Sequence, residues 1–157
     1  MKTLIVGLGN PILGDDGVGW RVVEELRDHL QPGHQGDIQI ECFSLGGLSL
    51  MERLAGCQRA ILIDSMHTGQ HADGFVSVFP LQALSDPLAG HTSSAHDTSL
   101  LMAIKAGLQL GMDLPETITV VAIEATTVHD FSEELSPAVA AAVPAAVQAV
   151  FDLIASR

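Results

Sequence analysis

Apolar and polar positions along the chain follow two rhythms. Short runs of mostly apolar residues recur at Thr3-Leu4-Ile5-Val6-Gly7, Ile38 to Phe43, Ala60 to Ile63 and Ile118 to Ile123. Runs of this length without strict alternation suit strands covered on both faces. Between them lie longer stretches with a helical period. Val18, Val22, Leu26 and Leu30 recur every fourth residue, which predicts a helix from about Asp16 to Leu30. A second, short helix is expected near Leu48 to Leu54. A third carries Leu101, Ile104 and Leu108 on its inner side. A last helix opens at Ser136-Pro137 and buries Leu135, Val139, Val143, Val147 and Val150.

Punctuation between these segments agrees with the rhythm. Gly7-Leu8-Gly9-Asn10-Pro11 ends the first strand, Pro32-Gly33 ends the first helix, and Gly46-Gly47 and Gly56 bracket the second. Phe75 to Phe79 alternates weakly before Pro80 and reads as an edge or antiparallel strand. Leu81 to Ala95, with Pro87, Gly90, His91 and two serines, has no clear period and is the longest irregular stretch. Pro144 falls inside the last helix and predicts a kink or break there. Strands alternating with helices imply an α/β fold: a three-layer αβα sandwich on a mostly parallel, mixed five-stranded sheet, with residues 1–157 as one domain.

Composition narrows the classes. The chain is 47% apolar and 17% charged over 157 residues, ample for one core. Its net charge of −12, from seven Lys and Arg against nineteen Asp and Glu, argues against nucleic acid and anionic membranes. It is compatible with a cationic protein partner or with a metal-bearing one. No apolar run is expected to reach the ~18–20 residues that cross a bilayer, and Met1-Lys2-Thr3 leads directly into a strand, so a cytoplasmic protein is expected. Cys42 and Cys57 lie in apolar contexts and are expected to be free buried thiols.

The candidate chemistry sits where strands end. Asp16 lies in Gly14-Asp15-Asp16-Gly17, Asp64 closes Ala60-Ile61-Leu62-Ile63, and His96 opens a helix in Ser93-Ser94-Ala95-His96-Asp97. The carboxyl ends of strands are where open α/β sheets place ligands. Two carboxylates and an imidazole suit a divalent metal such as nickel, zinc or manganese. Each has a plainer reading. Asp15 or Asp16 could cap the following helix. Asp64 could accept loop amides. His96 could be structural; most of the seven histidines are expected to be surface or structural, His67 and His71 as exposed loop residues, with His91 a weaker second candidate. Gly7-Leu8-Gly9 lacks the third glycine of a dinucleotide fingerprint, since residue 12 is isoleucine. No His-Glu-x-x-His helix, Cys-x-x-Cys pair or Gly-x-Ser-x-Gly elbow is present.

Gly7-x-Gly9-Asn10 followed by Gly14-Asp15-Asp16-Gly17-x-Gly19 resembles the N-terminal signature of the hydrogenase maturation proteases. Ile63-Asp64, Ala95-His96-Asp97, Ile123-Glu124 and Leu135-Ser136-Pro137 resemble that family too, in the expected order along nearly the whole chain. The resemblance implies a phosphorylase/hydrolase-like fold. It also implies an endopeptidase that removes the C-terminal extension of a [NiFe]-hydrogenase large-subunit precursor after nickel insertion. The family's nickel-binding side chains fall here on Asp16, Asp64 and His96, which would serve both as metal contacts and as catalytic groups. Nickel would come with the substrate, and zinc or cadmium could take its place in a crystal. Nickel as Lewis acid, a carboxylate as general base, and nickel as a recognition handle all remain open. One departure is visible: Ser44-Leu45-Gly46-Gly47-Leu48 has no acid where many relatives carry an aspartate.

Two rival readings come from other classes. Leu4-Ile5-Val6-Gly7-Leu8-Gly9-Asn10-Pro11 also resembles the start of peptidyl-tRNA hydrolase. The Thr-Arg-His-Asn-type motif that should follow is replaced by Gly14-Asp15-Asp16-Gly17, and the acidic charge suits tRNA poorly. A non-catalytic nickel-binding chaperone module would use the same three ligands without cutting.

Overall fold

The computed structural model describes residues 1–30, 37–44, 46–85, 95–128 and 130–156, and of residues 85 and 95–99 the backbone alone. In chain order the elements are β1 (Thr3–Leu8), α1 (Val18–His29), β2 (Ile38–Phe43), α2 (Gly47–Leu54) and β3 (Arg59–Met66). β4 (Val76–Pro80), α3 (Ala95–Gln109), β5 (Thr117–Glu124) and α4 (Pro137–Ala155) follow. One-turn 3₁₀ helices cover Gly14–Gly17 and Leu81–Ser85.

The described strands form one five-stranded sheet in the order β2-β1-β3-β5-β4. β1 pairs in parallel with β2 and β3, and β3 with β5, while β4 runs antiparallel along the edge of β5. The mixed α/β sandwich expected from the sequence is therefore the fold, and β4 is the edge strand that the alternation of residues 75–79 suggested. β1 and β3 are buried along their full length, which is why they read as unbroken apolar runs. Each still divides its side chains between two cores. Leu4, Val6 and Leu62 join Leu50, Leu54, Leu100 and Ile104 beneath α2 and α3. Ile5, Ile61 and Ile63 join Val18, Val22, Leu26, Val139, Val143 and Val147 beneath α1 and α4.

From β1 the chain passes to β2 on one side and then crosses to β3 on the other. The carboxyl ends of β1 and β3 thus border the point where the strand order reverses, the crevice in which such sheets bind ligands.

Several local expectations need correction. Leu108 does not face inward; it is 58% exposed. Gly107 holds the inner position instead, where a Cβ would lie 2.7 Å from Met51 Sδ and 2.9 Å from Leu114 Cδ1. The close approach of α3 to α2 leaves no room there for leucine. Pro144 does not break α4, which runs unbroken from Pro137 to Ala155. Its ring is on the exposed side, and the Ala140 carbonyl it leaves unpaired also belongs to an exposed residue, where water can donate to it. Cys57 is buried but Cys42 only half so. α4 is also long and apolar enough, by length and composition, to cross a membrane. In the fold, its valine face covers the sheet and alanines make up much of the rest.

Helix α1 approaches the sheet at Gly19, where a Cβ would lie 2.6 Å from the Leu8 carbonyl oxygen and would overlap that of Ile63. Both obstacles are backbone and cannot rotate away. Gly19→Ala should cost roughly 2–3 kcal/mol, read as a lowered urea midpoint at unchanged slope. An unchanged midpoint would mean that α1 can stand off the sheet.

Candidate functional site

The motif turn is built by backbone contact. A Cβ on Gly7 would overlap the Gly19 carbonyl, and one on Gly17 would lie 2.8 Å from Pro11 Cα. Gly9 adopts φ +118°, in the region that favours glycine, and its α-carbon faces the Asp16 carbonyl so closely that no side chain fits. Gly7, Gly9, Gly17 and Gly19 therefore let the end of β1, the 3₁₀ turn and the first turn of α1 lie against one another. This explains the glycine spacing without a nucleotide.

Asp15 and Asp16 leave this turn in different directions, and neither caps α1. Its N-cap is Gly17, with no side-chain cap bond. Asp16 Oδ2 instead accepts the Asn10 N–H at 2.7 Å, closing its own loop. Its Oδ1 receives the Ser65 hydroxyl at 3.4 Å from the neighbouring strand. Asp64 lies beside that serine, with Oδ1 accepting the Ser65 N–H at 2.8 Å, and is only 1% exposed. β3 continues two residues beyond Asp64, paired with β5 alone, since the β1 pairing stops at Ile63. Asp64 is thus the first residue of β3 past the β1 ladder. Ser65, which sequence reasoning passed over, links the two carboxylates.

Asp15 is buried and reaches across the fold. Its two oxygens accept the Ser136 N–H at 2.7 Å and the Ser136 hydroxyl at 2.8 Å. Ser136 sits at the N-cap of α4 but does not use its own side chain as the cap. Backbone bonds add to this tie: Gly14 N–H to the Ser132 carbonyl at 2.8 Å, Ser132 N–H to that of Ile12 at 3.0 Å, and Asp15 N–H to that of Thr127 at 3.2 Å. The motif turn is clamped to the segment that leads into α4.

A third buried acid lies at the end of β5. Glu124, 4% exposed, accepts the Thr68 N–H and hydroxyl, each at 2.9 Å, and the Gly69 N–H at 3.0 Å. It holds the turn that follows β3, with exposed His67 at 4.0 Å. Its signal in the sequence matches that of Asp64: an acid closing an apolar run. His96 is the second residue of α3, and its side chain lies outside the described residues. His91, His34 and His129 lie outside them entirely. Among the described residues no three His, Cys, Asp or Glu side chains converge as a metal site. Ser65 thus bonds to both carboxylates, to Asp16 through its hydroxyl and to Asp64 through its backbone N–H, at the point where the strand order reverses. The oxygens gathered there can take a hard or borderline cation or accept a proton from water.

A cysteine nucleophile finds no support. Burial pushes both thiols upward, against lesser opposition from the charges of Arg27 at Cys42 and Lys2 at Cys57. Raised thiols stay protonated at neutral pH and are poor nucleophiles.

Comparison with known proteins bears on this arrangement. The sequence model of the hydrogenase maturation proteases (HycI) matches residues 20–153. The hydrogenase expression/formation protein HupD of Thiocapsa roseopersicina is 22% identical over 154 residues, spanning 98% of this chain and 68% of that protein. The hydrogenase maturating endopeptidase HybD of E. coli superposes with TM-score 0.79 at 24% identity, covering 98% of this chain and 92% of its own, a likeness of fold. The [NiFe] hydrogenase maturation protease HybD of Thermococcus kodakarensis gives TM-score 0.70 at 27% identity, covering 98% and 99%.

Two measurements follow from the geometry. Asp15→Ala strands both Ser136 donors and should cost about 1–3 kcal/mol. Asp15→Asn keeps an acceptor for the Ser136 N–H and should cost less; equal losses in a urea titration would refute the clamp. Iodoacetamide should alkylate the folded protein slowly at pH 8 and faster as pH rises toward the raised thiol pKa values, with the native fold and any activity retained. Rapid alkylation at neutral pH would contradict the thiol environments.

Proposed function

From membership in the hydrogenase maturation protease family, to which this chain belongs, we propose that it removes the C-terminal extension of a [NiFe]-hydrogenase large-subunit precursor once nickel is in place. As a member it is a peptide hydrolase, and large-subunit precursors are the kind of partner on which the family acts. The finer reading concerns nickel. Asp16, Asp64 and His96 would contact the ion while it remains held by the precursor, so that cleavage waits on its presence.

One observation carries this reading. Asp16, in the turn after β1, and Asp64, near the end of β3, both bond to Ser65 at the point where the strand order reverses. Asp16 has one oxygen fixed by the Asn10 amide, and the pair is set on backbone that cannot shift. Such preorganisation is what a site needs to grip an ion that arrives already coordinated. The shortness of the donor set also fits. Two carboxylates and one imidazole leave positions for the ligands that travel with the metal. In the hydrolysis, water attacks the scissile carbonyl carbon, the C–N bond breaks, and the amine leaves with a proton. A carboxylate of the pair takes the proton from water.

The test is the intact mass of a nickel-loaded precursor after incubation with the protein, with nickel-free precursor beside it. Loss of a C-terminal peptide from the loaded sample alone is expected. Asp16→Asn, Asp64→Asn and His96→Ala should each slow cleavage by roughly 100-fold or more. Full activity in all three would remove the site, and equal cleavage of the nickel-free precursor would remove the metal gate. Nickel-dependent complex formation without cleavage would make the protein a binding module.

A further inference from the structure

Beside the motif turn, a cavity of about 230 Å³ opens between the loop before the turn, the first turns of α1 and residues 133–135. Gly14 and Gly17, which flank the two aspartates, form part of its wall. A second hollow of about 420 Å³ shares Arg21 and Leu135 with it and continues between α1 and the start of α4. Together they make a groove that leads away from the turn carrying Asp16.

The chemistry of this groove is specific. Its apolar surface comes from Pro11, Ile12, Trp20 and Leu135. Ile12 is 47% exposed, and its carbonyl accepts the N–H of Ser132, the residue after strongly exposed Phe131. Two large apolar side chains left open beside a candidate site ask for a covering partner. Trp20 is partly exposed and forms part of the cavity wall. Glu24 and Glu133 line the first hollow, and Glu25 and Glu134 the second. Against these four acids, Arg21 is the one cation among the described lining residues, and it is already 3.5 Å from Glu24.

We propose that this groove binds an extended, basic and apolar segment of the precursor chain beside the scissile bond. Apolar side chains would cover Ile12, Trp20 and Leu135, and Lys or Arg side chains would face Glu24 and Glu133. The inference rests on the reading of the protein as a maturation protease and adds a specificity determinant to it. The acidic rim selects by charge, and the chain's net charge of −12 draws a basic partner from a distance.

Trp20 makes the test direct, because the chain has one tryptophan and no tyrosine. An acetylated, amidated decapeptide of alternating lysine and valine is titrated while Trp20 emission is followed. A decapeptide with glutamate for lysine runs beside it. The lysine peptide should shift the emission, and raised salt should weaken the effect. Glu24→Lys with Glu133→Lys should weaken binding at least about tenfold, and the Glu24→Gln, Glu133→Gln pair by less. With the nickel-loaded precursor, the double charge reversal should raise KM and leave kcat unchanged. The proposal is overturned by any of three results: no emission change with the lysine peptide, preference for the glutamate peptide, or undiminished binding by the charge-reversed variant. Peptide binding in a protein that leaves the precursor uncut would count against the protease reading and leave the groove standing as a basic-peptide site.

Discussion

The close approach of backbone to backbone at the end of β1 is the constraint from which the rest follows. Gly7 lies against Gly19, Gly9 against Asp16, and Gly19 against the carbonyls of Leu8 and Ile63. No side chain intervenes, so the motif turn cannot drift relative to the sheet. The direction of each side chain leaving the turn is set by the same contacts. Packing of this kind is sensitive to single methyl groups, and the chain answers with glycine at each point of contact.

Two adjacent aspartates in that turn serve different ends. Asp15 is spent on Ser136 and the entry to α4. Asp16 faces the β3 end, where Ser65 connects it to Asp64. A similar division separates the acids near the ends of two neighbouring strands. Glu124 receives three hydrogen bonds from the turn after β3 and shapes the loop that borders the crevice. Asp64 lies nearer β1, beside the motif turn. Buried carboxylates are costly unless bonded, and the fold uses the bonds that satisfy Asp15 and Glu124 to brace the two loops around Asp16 and Asp64.

Much of this was legible in the amino-acid order because the signals are local. Unbroken apolar runs marked β1, β3 and β5, a period of four marked α1, and an acid after a buried run marked Asp64. The glycine and aspartate spacing carried the resemblance that the family match bears out. What escaped was nonlocal. Asp15 beside a helix start looks like a cap, and nothing near it in the sequence points to Ser136. Leu108 keeps the helical period, and only the proximity of Met51 explains why Gly107 takes the inner place. Pro144 predicts a break when read alone, and its exposure removes the need for one. Ser65 is too ordinary a residue to stand out before the Asp16 contact is seen.

The bond between Asp15 and Ser136 spans 121 positions of the chain. Leu13 and Ser132 form a bridge over nearly the same distance. Contacts so distant in sequence form late, after the loops between them have closed. Synthesis runs from the N-terminus, so the aspartates exist long before the helix entry that braces them. The motif turn near the start of the chain is therefore braced when Thr127, Ser132 and Ser136 fold back onto it.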